Sequence, residues 1–109
     1  MIDNRMLAGV TVQGTDETRR YSADITEWAN SWGAPTSIES VRLYDHKLKK
    51  YVDEKLSDVN NLAGNIFETK FVSGLELPPK GNYRYQLNVI VVFPGGNKLS
   101  GWFPIQSAM

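Results

Sequence analysis

Chemistry needs side chains that move protons, carry electrons or hold metals, and this chain of 109 residues offers few in useful groupings. His46 is its single histidine, and there is no cysteine. It stands in "YDHKLK" beside Asp45. A histidine oriented by a carboxylate is a general-base pattern. No serine, cysteine or second histidine completes a catalytic set, so His46 reads as a solvated turn residue. One imidazole without thiolates cannot supply the nitrogen and sulfur donors of a transition-metal site. The carboxylates Asp16-Glu17, Asp24, Glu27, Asp53-Glu54 and Asp58 lack the Asp-x-Asp-x-Asp-Gly spacing of a calcium loop. Their scatter defines no glycosidase pair. Gly81 and Gly95-Gly96 belong to no Gly-x-x-x-x-Gly-Lys-Ser/Thr motif and read as turn glycines. The expectation is a chain that is not an enzyme, with no cofactor and no metal.

Binding is the better prospect, and the aromatic residues carry it. Trp28 and Trp32, four apart in "DITEWANSWG", either form a sugar-stacking platform or close one end of a core. The run "HKLKKY", with Lys47, Lys49 and Lys50 between Tyr44 and Tyr51, has the ingredients of a nucleic-acid stripe. On a chain with 12 basic and 12 acidic residues, three lysines read instead as a solvated hairpin guarding an edge strand. Zero net charge likewise argues against nucleic acid or an anionic membrane as partner. No charged and apolar leader pattern opens the sequence. The longest apolar run, Val89 to Pro94, is too short to span a bilayer. Cytoplasmic synthesis is expected.

These residues need a scaffold, and a periodicity of two dominates the chain. Tyr21, Ala23 and Ile25 alternate with polar neighbours, as do Val41 and Leu43, and Phe67, Thr69 and Phe71. A first strand is predicted over Met6 to Gln13 and a short one over Lys49 to Asp53. Breakers separate the runs at regular intervals. The length suits one domain, residues 1–109, with a single core. About seven strands in an antiparallel sandwich are predicted. "DEKLSDVNNLAG", from Asp53, is either a loop or a turn or two of helix.

The last third is the most regular. Odd positions from Tyr83 to Phe93 are all apolar or aromatic, which marks a strand with one face in the core. A three-residue loop, Gly95-Gly96-Asn97, then turns Leu99, Gly101, Phe103 and Ile105 inward; an even loop would bury Lys98 and Ser100 instead. Trp102 is left on the outer face, opposite Ile90 and beside Val92. These three form either a contact surface or a patch covered by the 53–65 segment.

In "LELPPKGNY", Leu77, Pro79 and Tyr83 stand in the pattern Leu-x-Pro-x-x-x-Tyr. This resembles the tyrosine corner of immunoglobulin-like and fibronectin type III sandwiches, where the hydroxyl returns to the backbone and fixes the arch. More broadly, "ETRRYSADITEWANSWGAPTSIESVRLYD" and "LPPKGNYRYQLNVIVVFPGGNKLSGWFPIQ" resemble small immunoglobulin-like virion proteins of tailed bacteriophages, fiber-tail adaptors and head–tail proteins among them. The shared features are Asp24 followed by Trp28, the Thr36–Val41 stretch, Gly81 with Tyr83, Gly95-Gly96 and a closing Ile105. The longer middle, His46 to Asn65, and the proline-rich corner depart from that pattern. The resemblance implies a non-enzymatic tail or neck assembly protein whose partners are other protein subunits, its own copies or virion proteins. Docking is expected through edge strands and the Ile90, Val92 and Trp102 face. A carbohydrate-binding accessory domain using Trp28 and Trp32 is the alternative.

Overall fold

The apolar alternation of the last third builds the two central strands of an all-β fold. The computed structural model describes residues 4–77 and 83–108. They form eleven strands and one helix: β1 (Asn4–Met6), β2 (Thr11–Gly14), β3 (Ser22–Asp24), α1 (Thr26–Trp32), β4 (Ser37–Asp45), β5 (Lys50–Tyr51), β6 (Leu56–Ser57), β7 (Asn61–Ala63), β8 (Ile66–Glu68), β9 (Phe71–Val72), β10 (Tyr85–Val92) and β11 (Lys98–Ala108). The main sheet runs β1–β11–β10–β4–β5, and β2 also lies on β11. β10 is antiparallel to both neighbours, whereas β1 and β2 run parallel to β11. β3–β8–β7 and the β6–β9 pair form the smaller sheets. Their side chains meet the main sheet across the core: the Tyr21 and Phe67 rings lie 5.7 and 6.2 Å from Phe103.

One face of the main sheet is apolar because alternate residues of three long strands point the same way. Val41 and Leu43, Leu87 and Val89, and Phe103 and Ile105 are all buried there. No helix among the described residues is long and apolar enough to cross a membrane.

The β10–β11 hairpin has the predicted faces but a different register. Leu99, Phe103 and Ile105 point inward, as an odd loop requires. The pairing is shifted by two residues along β10, with Val92 and not Pro94 opposite Lys98, so Trp102 stands opposite Asn88 and Ile90 opposite Ser100. The cause is local: Phe93 N–H donates to Asn97 O at 2.7 Å, and Gly95 and Gly96, both at φ 79°, turn the chain where only glycine is unstrained.

The predicted first strand is two strands. Leu7 N–H still donates to Trp102 O at 2.8 Å, but Ala8–Val10 leave the ladder before β2 resumes it. Leu7 turns its side chain over Gly101, where an added Cβ would stand 2.6 Å from Leu7 Cγ. The strand count exceeds seven because breaks divide two of the predicted runs and the 53–65 segment adds two short strands. The 53–65 segment makes a 3₁₀ turn at Asp53–Lys55 and then β6 and β7. Asp58 at φ 70° and Gly64 at φ 61° interrupt any helix there.

Helix α1 breaks the period-two expectation. Asp24 Oδ1 accepts the Thr26 amide at 3.0 Å and turns the chain out of β3. The helix then buries Trp28 edge-on against Phe93, with centroids 6.1 Å apart, and Gly33 at φ 90° ends it.

Two substitutions test this packing in urea unfolding. Gly101→Ala should destabilise by about 1–3 kcal/mol through overpacking, and adding Leu7→Ala should recover part of the loss. Leu87→Ala, in the centre of the sheet, should cost about 2–5 kcal/mol; a neutral result would place β10 outside the core.

Candidate functional site

The solvent-facing side of the main sheet is shaped at one end by a buried ion pair. Arg84 Nε and Nη2 donate to Asp45 Oδ1 and Oδ2 at 3.0 and 2.9 Å, with both side chains almost wholly buried. Asp45 Oδ1 also accepts the amides of Lys47 and Leu48 at 2.9 and 3.2 Å, so one carboxylate shapes the β4–β5 turn. Arg84 Nη1 reaches Leu77 O at 2.9 Å, and Nη2 faces the Glu76 carboxylate at 3.4 Å. Glu76 N–H donates to the Tyr85 hydroxyl at 3.0 Å, and Ser107 Oγ donates to Glu76 O. Burial opposes ionisation of Asp45, but the Arg84 hydrogen bonds and the two turn amides more than offset it, holding its carboxyl below the ordinary value. The same pairing raises Arg84. Burial also pushes the Tyr85 hydroxyl up, which keeps it neutral as an acceptor.

Among the described residues, the hydroxyl tied to the segment before β10 is that of Tyr85, buried at the start of the strand, rather than that of the expected Tyr83. Arg84, at an even and hence outward position of the alternating run, is nevertheless buried because Asp45 and two upstream residues saturate its guanidinium. With Arg84 and Tyr85 both inward, the alternation breaks and Tyr83 lies against the outer face. Leu77 contributes its carbonyl, while its side chain is exposed; Pro79 and Gly81 lie outside the described residues.

Around Tyr83 the outer face becomes continuous aromatic surface. Tyr51 of β5 meets Tyr44 of β4 at 5.2 Å and an interplanar angle of 77°. Tyr44 meets His46 at 5.0 Å, and His46 meets Tyr83 at 5.5 Å and 81°. Tyr83 reaches Trp102 of β11 at 6.4 Å. The first three contacts are edge-to-face, a favoured aromatic geometry, and the last is tilted at 34°. Polar groups border the rings. His46 Nε2 lies 3.1 Å from Gln86 Oε1, and Gln86 Nε2 donates to Asn88 Oδ1 at 2.8 Å. The Arg42 guanidinium sits 3.7 Å over the Tyr51 ring and is ion-paired with Asp53 at 3.0 Å.

The predicted trio is therefore spread out. Trp102 belongs to the aromatic strip; Ile90 lies diagonal to it, between Ser40 and Ser100. Val92 is beside Lys98, whose ammonium pairs with Glu39 at 2.5 Å. All three are half-buried. Trp28 and Trp32 are not a platform. Trp28 is 4% exposed, and the Arg5 guanidinium stands 5.5 Å over its ring. A cleft of about 180 Å³ between β1 and α1 reaches it, but no flat indole faces solvent there. Trp32 alone is exposed, at the end of α1. Sequence reading missed the strip because its members come from four separated segments. The available signals were Tyr44 on the polar side of its strand and Tyr51 closing the lysine turn.

The buried pair has testable consequences. Arg84→Met should destabilise by about 3–5 kcal/mol, since it strands the Asp45 charge. Because Asp45 titrates lower in the folded chain, its contribution is complete above the ordinary carboxyl value of 3.8 and vanishes as pH drops through the folded value. Asp45→Asn should thus flatten the acid limb of a stability–pH profile; an unchanged limb would refute this. Tyr85→Phe should lose about 1 kcal/mol, with Tyr83→Phe close to neutral. Comparison with protein-family models and with curated protein sequences finds no match.

Proposed function

We propose that this chain is a non-enzymatic, immunoglobulin-like interaction module that docks a protein partner on the outer face of its main sheet. One observation carries the reading: five aromatic rings from Tyr51 to Trp102 touch in series across the strands of that face. Tyrosine, tryptophan, arginine and histidine with interspersed amides match the composition of protein-recognition surfaces. Rings already packed against one another lose little freedom on binding, which lowers the entropic cost of association.

Three features support the immunoglobulin-like assignment. The opening strands pair in parallel with the last strand, a hairpin closes the sheet, and a tyrosine hydroxyl accepts an amide at the arch before the penultimate strand. The resemblance to small virion proteins of tailed bacteriophages directs the choice of partner toward another subunit of a tail or neck assembly.

The test is calorimetric titration with the purified products of the genes flanking its own, and light scattering for self-association. One of these should bind, and Trp102→Ser combined with Tyr83→Ala should weaken it at least about tenfold, as loss of central aromatic anchors does. Partner binding that ignores both substitutions would overturn the assignment of this face.

A further inference from the structure

The aromatic strip ends in a turn with a marked excess of positive charge. Lys47, Lys49 and Lys50 follow His46 directly, all exposed, and none has an ion-pair partner among the described residues. Other cations on the main sheet are neutralised: Arg42 by Asp53, Lys98 by Glu39, Arg84 by Asp45. The one acid within the turn, Asp45, is buried and committed to Arg84. Charge is thus balanced over the whole chain, while among the described residues this end of the strip sets the three lysines against one surplus carboxylate, Glu76, which shares Arg84 with Asp45.

The turn carries a second mark. Lys49 holds φ 55°, a left-handed conformation that glycine or asparagine adopts at less strain. A lysine in this conformation is strained relative to glycine, and residues held in sparsely populated backbone regions cluster at functional positions.

From this charge asymmetry we infer that the partner segment seated on the strip is acidic, its carboxylates facing the Lys47–Lys50 turn and its apolar side chains lying on Tyr83 and Trp102. This rests on the docking role proposed above and names the chemistry of what docks. An acidic protein segment is favoured over nucleic acid. Three unpaired lysines are few beside the six to ten or so phosphate contacts of a typical strong nucleic-acid binder. The rings from Tyr51 to Tyr83, packed edge-to-face, also offer few open faces for bases.

The probes are two fluorescein-labelled peptides of about twelve residues, one repeating Glu-Tyr-Glu-Leu and one with Lys for Glu, and an oligothymidylate. Anisotropy gives affinity, and NMR shifts of the Trp102 indole and the His46–Lys50 amides give location. The acidic peptide should bind there, and weaken about tenfold or more as salt rises from about 0.05 to 0.5 M. Lys47→Glu with Lys50→Glu should abolish most of that binding. Lys49→Asn should weaken it while leaving the chain as stable or more so, which separates a binding role from a structural one. The inference fails if the basic peptide binds equally well, if the acidic peptide does not bind or maps elsewhere, or if the charge reversals have no effect. Tighter binding of oligothymidylate on the same residues would overturn it in favour of nucleic acid. Should a flanking-gene product bind through Trp102 and Tyr83 yet ignore the lysine reversals, the acidic-partner inference falls while the docking face stands.

Discussion

The Asp45–Arg84 pair is the constraint on which the rest of the molecule depends. Taking two charges out of water is expensive, and their mutual attraction alone seldom repays it. Here the remaining hydrogen-bonding capacity is also used: two turn amides on Asp45, and the Leu77 carbonyl on Arg84. An apolar pair of equal volume could fill the space but would leave those backbone groups without partners. The pair therefore specifies geometry more than it adds stability. It locks the end of β4, the start of β10 and the arch before β10 to one another. It also decides that residue 84 turns inward, and so where Tyr83 and Tyr85 go.

A second buried polar group fastens the smaller sheets. Gln13 Nε2 donates to Val72 O at 2.8 Å, and the Tyr21 hydroxyl donates to Gln13 Oε1 at 2.6 Å. The Tyr21 amide meets Thr69 Oγ1 at 3.1 Å. Burial raises the Tyr21 hydroxyl to about 12, so it stays a donor under ordinary conditions. Gln13 lies on β2, which the parallel ladder ties to β11. The main sheet is thus bonded to the opposite layer by directional contacts as well as by the Tyr21–Phe103–Phe67 rings. Short strands of two or three residues have little pairing energy of their own, and this network holds several of them in place.

What the sequence discloses follows from what periodicity can encode. Alternation reports which face a residue takes, so the inward sets on β4, β10 and β11 were legible, as was the odd parity of the hairpin. It does not report which residue lies opposite, and one backbone bond from Phe93 to Asn97 moved Trp102 from Ile90 to Asn88. Nor does it reveal a buried charge. Arg84 in an alternating run looks like any solvated arginine until Asp45, 39 positions earlier, is brought beside it. Nor does alternation single out which tyrosine hydroxyl meets the segment before β10: Tyr83 and Tyr85 share parity, and it is Tyr85 that accepts the Glu76 amide. Trp28 and Trp32, equivalent by spacing, diverge because α1 turns one into the core. The strip itself was illegible: its rings are assembled by tertiary pairing, and no local pattern marks them.

The same dependence explains why fold and face can be tested apart. Asp45 and Arg84 belong to the core, and changing them should disturb both stability and the placement of His46 and Tyr83. Trp102 and Tyr83 are half-buried on the outer side. Neither takes part in the buried polar bonds traced at the arch, so replacing them should leave the sheet standing. The lysines of the turn lie further out still: the Lys47 and Leu48 amides hold the turn to Asp45, while the ammonium groups are unpaired among the described residues. Backbone bonds thus fix the shape of the turn, and its side chains are left to set the local charge. Substitution at residues 47, 49 and 50 can therefore change the charge at this end of the face without altering the anchor that positions them.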